Sequence, residues 1–285
     1  MSCGAPAPAI ATDGYCGQCG MKQPAPWDHR EIDLGTVAAV TDRGLHHTRN
    51  EDAVAIAEVV VSDGVARIIV VCDGVSSTAD SDLAAQAAAE AACAVLSTVD
   101  ATDTATLAKL TTRAIASAQV AASSIPAKDG VTPSSTIVTA LAFISDAAEA
   151  TVIVGSLGDS RAYWRRGDEL RQMSEDDSWA SEQIAGGMLE DDAYADARAH
   201  VITRWLGADA TELDPRIETL RVPRPTTLLL CSDGLWNYAP TTQSLSKRIA
   251  EQGDQPTNLA LARALTNFAR DAGGHDNITV AIASL

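Results

Sequence analysis

Four aspartates of this chain stand where an apolar strand runs out. Asp73 ends RIIVVCD and Asp233 ends TLLLCSD, each followed by a glycine, Gly74 and Gly234. Asp159 lies in SLGDSR after EATVIVG, and Asp276 lies in GGHDN just before ITVAIA. Glu51 and Asp52 do the same at the head of AVAIA. One aspartate beside glycine is an ordinary Asx turn or strand cap. Repetition points elsewhere, because the strand ends of one sheet sandwich lie close together and their carboxylates would meet. Two carboxylates 4 Å apart repel by roughly 4 kcal/mol at an effective dielectric near 20. Four or five together would exceed a domain's stability margin of about 5–15 kcal/mol. Divalent cations remove that cost, and hard oxygen ligands select Mg²⁺ or Mn²⁺ over zinc. The glycines leave the backbone open, so a carbonyl can also reach an ion. A shared carboxylate would hold two ions about 3.5–4 Å apart, where a water loses a proton near neutral pH and attacks a phosphoryl group in line. CDGVSST has no second aspartate two residues after Asp73, which argues against an aspartyl-phosphate mechanism.

The stretch GLHHTRNEDAVAI, residues 44–56, adds basic groups to the carboxylates. His46, His47 and Arg49 lie just ahead of Glu51, and Arg43 just before the stretch. If the segment is extended, Arg49 shares a face with His47. A solvated turn is the plain reading; a phosphate-binding edge beside the acidic centre is the functional one.

The elements that must position these side chains are legible from periodicity. TVAAVT, AVAIAEVVV and VARIIVVCD read as strands, the last two joined by the turn signal SDG. DSDLAAQAAAEAACAVLS and TATLAKLTTRAIASAQVAASS carry apolar residues at helical spacing behind capping residues. SSTIVTALAFI, EATVIVGSLG, SRAYWRRG, HVITRWLG, PRIETLRVP and TTLLLCSDG read as further strands. Helices are expected over about 241–271, and NITVAIASL closes the chain as a strand. Residues 167–200 are polar and acidic without a strong period, which reads as a functional or mobile loop. Short strand-to-strand connections argue for antiparallel sheets with helices on their outer faces, an α+β arrangement.

The 285 residues suffice for one large domain, and 46% apolar content makes it globular. Aromatic residues make up only 4%, so the core is built from Ala, Val, Leu and Ile. The net charge of −17 disfavours nucleic acid and anionic lipid as general partners. No apolar run approaches the roughly 18 residues of a membrane span, and no secretory signal opens the chain. Cys72, Cys93 and Cys231 lie in apolar stretches and read as reduced core residues, as in a cytoplasmic protein. A monomer is expected.

Residues 1–30 differ from the rest. They hold four of the eleven prolines and three of the six cysteines, without apolar periodicity. Cys3, Cys16 and Cys19 match C-x2-C-x12-C-x2-C except that its first cysteine would fall just ahead of Met1. That pattern reads as a degenerate zinc ribbon in which Asp13 or His29 could supply a fourth ligand, or else as an unliganded arm.

From about residue 35 onward the chain resembles the metal-dependent protein serine/threonine phosphatases, the protein phosphatase 2C family in its bacterial type. DRGLHHTRNEDA, VVCDGVSS, SSTIVTALA, GDSRAYWRRG, ITRWLG, LLLCSDGLW and GGHDNITV match that family's motifs in order. The resemblance implies a four-layer α-β-β-α sandwich over 31–285, with the metals in a cleft at one end. It implies Asp73 as the bridging ligand, with Gly74 lending its carbonyl, and Asp233 and Asp276 completing the first ion. Glu51 and Asp52 would serve the second ion directly or through water, and Asp159 a looser third. Residues 167–200 would be the mobile flap beside the cleft. The implied activity is hydrolysis of phosphoserine or phosphothreonine on proteins by a metal-bound water, in opposition to a serine/threonine kinase. The family usually carries an arginine four residues before the glutamate of NED to grip phosphate, and here that position is His47. His47 and Arg49 are the expected substitutes, with Arg43 a further candidate; histidine binds anions more weakly, and only when protonated. That departure raises an alternative, a catalytically weakened phosphatase-like binding or regulatory module. A further one is a signalling switch that uses the cysteine arm as its sensor.

Overall fold

A computed structural model describes residues 14–285 except 22, 24, 76, 77, 101, 212, 254 and 255. Cys3 and Asp13 lie outside the described residues.

Two antiparallel sheets form the centre. The first contains β1 (His29–Asp33), β2 (Val37–Asp42), β13 (Ile278–Ser284), β12 (Thr227–Cys231), β8 (Arg161–Arg166) and β9 (Glu169–Gln172), in that order across the sheet. The second runs β11 (Arg216–Pro223), β7 (Glu149–Leu157), β6 (Ile137–Ile144), β4 (Gly64–Cys72), β3 (Ala53–Val61). A separate two-stranded ribbon joins β5 (Ser134–Ser135) to β10 (Leu206–Gly207). Helices α1 (Ser81–Leu96) and α2 (Thr104–Ser123) cover the second sheet, and α6 (Thr242–Ala250) and α7 (Asn258–Asp271) cover the first. The expected α-β-β-α order is therefore present.

Central strands are apolar on both faces because both faces are covered. In β4, Ile68, Val70 and Cys72 pack toward α1 and α2, while Ile69 and Val71 enter the layer between the sheets. In β12, Leu228 and Leu230 face that layer, and Leu229 and Cys231 face α6 and α7. Alanine lets these layers approach closely. Ala84, Ala85, Ala88, Ala89 and Ala92 of α1 are all buried. Capping sets the helix starts: Asp103 accepts from the Thr106 amide ahead of α2, Thr257 from that of Ala260 ahead of α7, and Thr241 and Ser244 form a capping box on α6. Cys72 and Cys231 are buried as expected, and Cys93 is half-buried.

Three expectations are corrected. HVITRWLG is not a strand over its length: only Leu206–Gly207 pair with Ser134–Ser135, and Ile202 makes one bridge to Ser178. The Thr203 amide is taken by the Asp177 carbonyl at 2.9 Å, and Arg204 turns toward the Asp177 carboxylate at 3.7 Å. Residues 167–200 are not structureless; they hold β9 at the edge of the first sheet, then α3 (Trp179–Ala185) and α4 (Glu190–Ala195) around a small core of Ala180, Ala193 and Ala199. Finally, the limit between arm and domain after residue 30 runs through β1. That strand pairs with β2 from His29↔Asp42 to Asp33↔Ala38, so the sheet edge begins inside the proline-rich segment. Among the described residues, no helix is long and apolar enough to cross a membrane.

Candidate metal centre

One end of the sandwich gathers the strand-end acids of both sheets. Asp73 leaves β4 of the second sheet, and Asp159 follows β7. Asp233 opens the short helix α5 (Asp233–Trp236) after β12, and Asp276 precedes β13 of the first sheet. Glu51 and Asp52 lead into β3.

Backbone contacts fix the approach. The Gly74 amide donates to the Glu51 carbonyl at 3.2 Å. A Cβ at Gly74 would stand 2.5 Å from that oxygen, and one at Gly234 would stand 1.9 Å from the Asn277 carbonyl oxygen. Both glycines are therefore demanded by close packing of main chain. The Asp73 carbonyl accepts from the Thr136 amide at 2.8 Å, and its amide donates to Thr136 Oγ1 at 3.3 Å.

Electrostatics show how close the carboxyls are. Burial pushes Asp73 well above the usual carboxylate range, and the charges of Asp52, Asp233, Asp276 and Asp159 push it further. Burial raises Asp52 to about 8 against hydrogen bonds from Ser232 and Thr279, with Asp276 and Asp233 adding repulsion. Asp233 rises to about 6 from burial and then from Asp276, and its carboxyl lies within hydrogen-bond reach of Asp73. Asp159 is raised by burial, then by Asp233 and Asp176. Five aspartates thus act on one another in one cluster, in which Asp52 and Asp159 are buried and Asp73, Asp233 and Asp276 half-buried. Among the described residues, no three of these side chains already close on one point as they would around a bound ion.

The donor set fits hard divalent cations. Every candidate ligand is oxygen, and Asp233 Oδ1 is buried with no hydrogen-bond donor facing it. An uncompensated buried carboxylate oxygen among repelling neighbours is what a doubly charged ion would satisfy.

Glu51 and the basic residues form the rim. Glu51 Oε1 accepts from Arg49 at 2.9 Å and from Ser81 Oγ at 2.8 Å. His47 stands between two of the acids, with Nδ1 3.4 Å from Glu51 Oε2 and Nε2 3.2 Å from Asp276 Oδ1. Arg49 also lies 3.5 Å from Asp82. Arg43 turns away to Asp28 at 3.6 Å, and His46 stacks on His275 with centroids 4.5 Å apart. His47 and Arg49 are thus at the acidic centre, whereas Arg43 and His46 are engaged elsewhere. His29 is engaged too, bonded to Asp42 at 2.7 Å and Glu31 at 3.2 Å on β1.

Several residues that shape the site had no strong signal in the sequence. Asn277 accepts from the Glu51 amide at 2.8 Å and donates to the Arg43 and Arg49 carbonyls at 2.8 and 3.1 Å. It pins the NED segment to the start of β13. Ser232 donates to Asp52 at 2.7 Å, and Ser81 holds Glu51 from the head of α1. Only their nearness to Asp276, Asp233 and the helix start could have suggested them.

In the cysteine segment, the Gln18 amide donates to Cys16 Sγ at 3.4 Å, the Cys16 amide donates to the Met21 carbonyl at 2.9 Å, and the Gly20 amide donates to the Cys16 carbonyl at 2.7 Å. The CxxC therefore forms a tight knuckle with Cys16 buried and Cys19 exposed.

Comparison with known proteins bears on the family and the fold. The Protein phosphatase 2C family profile matches residues 44–268. The serine/threonine phosphatase stp of Listeria welshimeri is 36% identical over 141 residues, 47% of this chain and 51% of that protein. The serine/threonine protein phosphatase PstP of Mycobacterium tuberculosis is 28% identical over 249 residues, 87% of this chain and 44% of that protein. The chain spans about half the length of the curated relatives it matches. Among solved structures, M. tuberculosis PstP/Ppp superposes with a TM-score of 0.67 at 26% identity, over 87% of this chain and 97% of that one. The PstP catalytic domain solved with two manganese ions gives the same TM-score and identity, over 87% and 96%. Stp1 of Staphylococcus aureus has the same fold, with a TM-score of 0.71 at 23% identity over 90% and 98%. The profile covers most of the chain, and the chain belongs to the protein phosphatase 2C family.

Proposed function

We propose that this chain hydrolyses phosphoserine and phosphothreonine on proteins with two Mn²⁺ or Mg²⁺ ions bound at the acidic end of the sandwich. One observation carries the reading: strand-end acids of both sheets repel one another in a single half-buried cluster, and the buried Asp233 Oδ1 there has no donor. Asp73 would serve both ions, with the Gly74 carbonyl beside it. Asp233 and Asp276 would complete the first site and Glu51 and Asp52 the second, and Asp159 would serve a third, looser ion. When bound, such a pair supplies an activated water and a clamp on the phosphoryl oxygens. The protein's own part is to hold the acids at fixed spacing and to orient the substrate phosphate from the rim. The full ligand set favours this reading over a weakened binding module. Hydrolysis of a small aryl phosphate in Mn²⁺, lost in EDTA and restored by Mn²⁺, is the expected result; no turnover under any divalent ion would sink the proposal. Partners would be phosphoproteins made by a serine/threonine kinase, met by a monomer in the cytoplasm.

The rim sets affinity. His47 and Arg49 are the groups placed to meet the substrate phosphate, yet both are held by carboxylates. A guanidinium binds phosphate through two parallel hydrogen bonds and keeps its charge at every working pH. His47→Arg is therefore expected to lower KM for a phosphopeptide about fivefold, with kcat changed less than about threefold. Steady-state kinetics check this, and a raised KM would remove His47 from the phosphate site.

The cysteine knuckle supports zinc in the arm. An amide two residues on that bonds the cysteine sulfur is the turn a CxxC pair adopts around a metal. Cys16, Cys19 and Cys3 would be three ligands. Elemental analysis of the purified chain is expected to give one zinc, lost in Cys16→Ser; none in the unaltered chain would reject the ribbon.

A further inference from the structure

The segment between β9 and β10 closes on itself at its neck, where the Trp179 amide donates to the Val201 carbonyl at 2.9 Å and the Ala180 amide to the Ala199 carbonyl at 3.2 Å. Its two helices have seven and six residues, too short to persist alone. Its own core is Ala180, Ala193 and Ala199 with Trp179 and Ile184 against them. Two anchors set its place. At the base is Asp177, 1% exposed. Its amide donates to the Gly158 carbonyl at 2.9 Å, its carboxylate accepts from the Gly158 amide at 3.1 Å, and Arg216 lies 3.0 Å away.

The returning chain of the segment lies beside that base, and there the exposed His200 makes its contact outside the segment with one tryptophan. The His200 ring lies 5.8 Å from Trp236 and 6.3 Å from Tyr194. Trp236 does not belong to the segment. It ends α5, the helix that Asp233 begins, and it is buried. Its indole N–H donates to the Asp159 carbonyl at 3.0 Å. Its ring carries the Arg161 guanidinium at 3.8 Å. Arg161 in turn donates to Asp176 at 2.6 and 3.0 Å and to the Pro240 carbonyl at 3.1 Å. The Trp236 side chain therefore joins the turn bearing Asp159 to the helix bearing Asp233, and it is also the surface on which the segment rests.

We propose that Trp236 is a positioning residue that sets the segment 178–203 against the acidic centre, with His200 as the segment's contact. Loss of the contact frees the segment while leaving the acids in place. Arg198, exposed and two residues before His200, reports this as a tryptic site. In His200→Ala, cleavage after Arg198 in the intact chain, followed by mass spectrometry, is expected to rise about fivefold. His200→Phe, which keeps a ring on Trp236, is expected to stay near the unaltered rate. Trp236→Leu should accelerate the same cut, and the double variant should add little to it, because neighbours that act through one contact are not additive. Unchanged cleavage in His200→Ala overturns the proposal. Additive effects overturn it also, since His200 would then be held by Tyr194 and not by Trp236. If Trp236→Leu does not fold, the His200 pair alone decides.

The consequence for substrates rests on the phosphatase reading above. His200→Ala is expected to raise KM for a phosphopeptide about fivefold and to leave aryl phosphate turnover unchanged. Equal loss on both substrates counts against positioning of a substrate-side segment. If the unaltered chain turns over neither substrate, the phosphatase reading fails while the cleavage result still tests the anchor.

Discussion

Asp73→Asn is expected to reduce Mn²⁺-dependent turnover of an aryl phosphate by about a thousandfold or more, and at the same time to make the metal-free chain more stable. The two effects have one cause. In the metal-free fold Asp73 is half-buried near Asp52, Asp233, Asp276 and Asp159, so its charge is opposed by desolvation and then by those neighbours. Asparagine has nearly the same shape without the charge. It relieves the repulsion but cannot serve as an anionic ligand between two cations. In EDTA at pH 8 the thermal midpoint of the variant should rise by roughly 5 °C, the scale of one to two kcal/mol in a domain this large. Scanning calorimetry in EDTA and initial rates in Mn²⁺ make the test. An aspartate with only a structural role would lose stability on substitution; a fall in both quantities would therefore remove Asp73 from the centre. Normal turnover would do so as well.

The second large effect is the pH dependence of stability, and its sign depends on metal. Burial and mutual repulsion raise the folded-state values of Asp73, Asp159, Asp52 (to about 8) and Asp233 (to about 6) above that of an unfolded aspartate near 4. A group raised on folding binds more protons in the native state. Its contribution is fully present below about pH 4 and is lost as pH climbs through the folded-state values. For the metal-free chain these acids therefore make pH 5.5 more favourable than pH 8, and the thermal midpoint in EDTA should fall by about 5 °C across that interval. Divalent ions reverse the slope, because they bind the deprotonated carboxylates and compete with protons. At a concentration 100 times its Kd an ion adds about 2.7 kcal/mol, and this gain should be largest at pH 8. A midpoint that rises with pH in EDTA, or a Mn²⁺ increment independent of pH, would mean that the acids are not gathered as described.

The sequence made most of this architecture legible for a physical reason. Strands covered on both faces, such as β4 and β12, are largely apolar runs, and each leads into its aspartate at a definable end. Of the alanine-rich helices, α2 carries a side-chain cap that marks its start, whereas Asp80 makes no such bond ahead of α1. The parts that could not be read depend on long-range contacts. HVITRWLG has strand composition, but a buried acid twenty-odd residues earlier takes the Thr203 amide, so no ladder forms there. The helices of 167–200 are too short and polar to show a period, and three alanines from distant positions make their core. β1 begins among prolines because its pairing with β2, not its own composition, makes it a strand. The same division holds at the site. The ligand candidates announce themselves by charge at strand ends. Asn277, Ser232, Ser81 and Trp236 act through partners dozens to hundreds of residues away, and neither residue type nor spacing marks them.

The acids of the centre come from two separate sheets, which near the site are joined only by the loops 43–52 and 158–160, with no disulfide among the described residues. Their separation is set by what fills the space between them, and much of that filling is minimal: Ala39, Ala140, Ala142, Ala162, Ala281 and Ala283. The spacing of the acids is therefore written in residues that would never approach a cation bound between them. A methyl group added or removed in that interlayer alters the bite of the two halves, so the tightness of ion binding can be tuned from the hydrophobic interior with every ligand untouched.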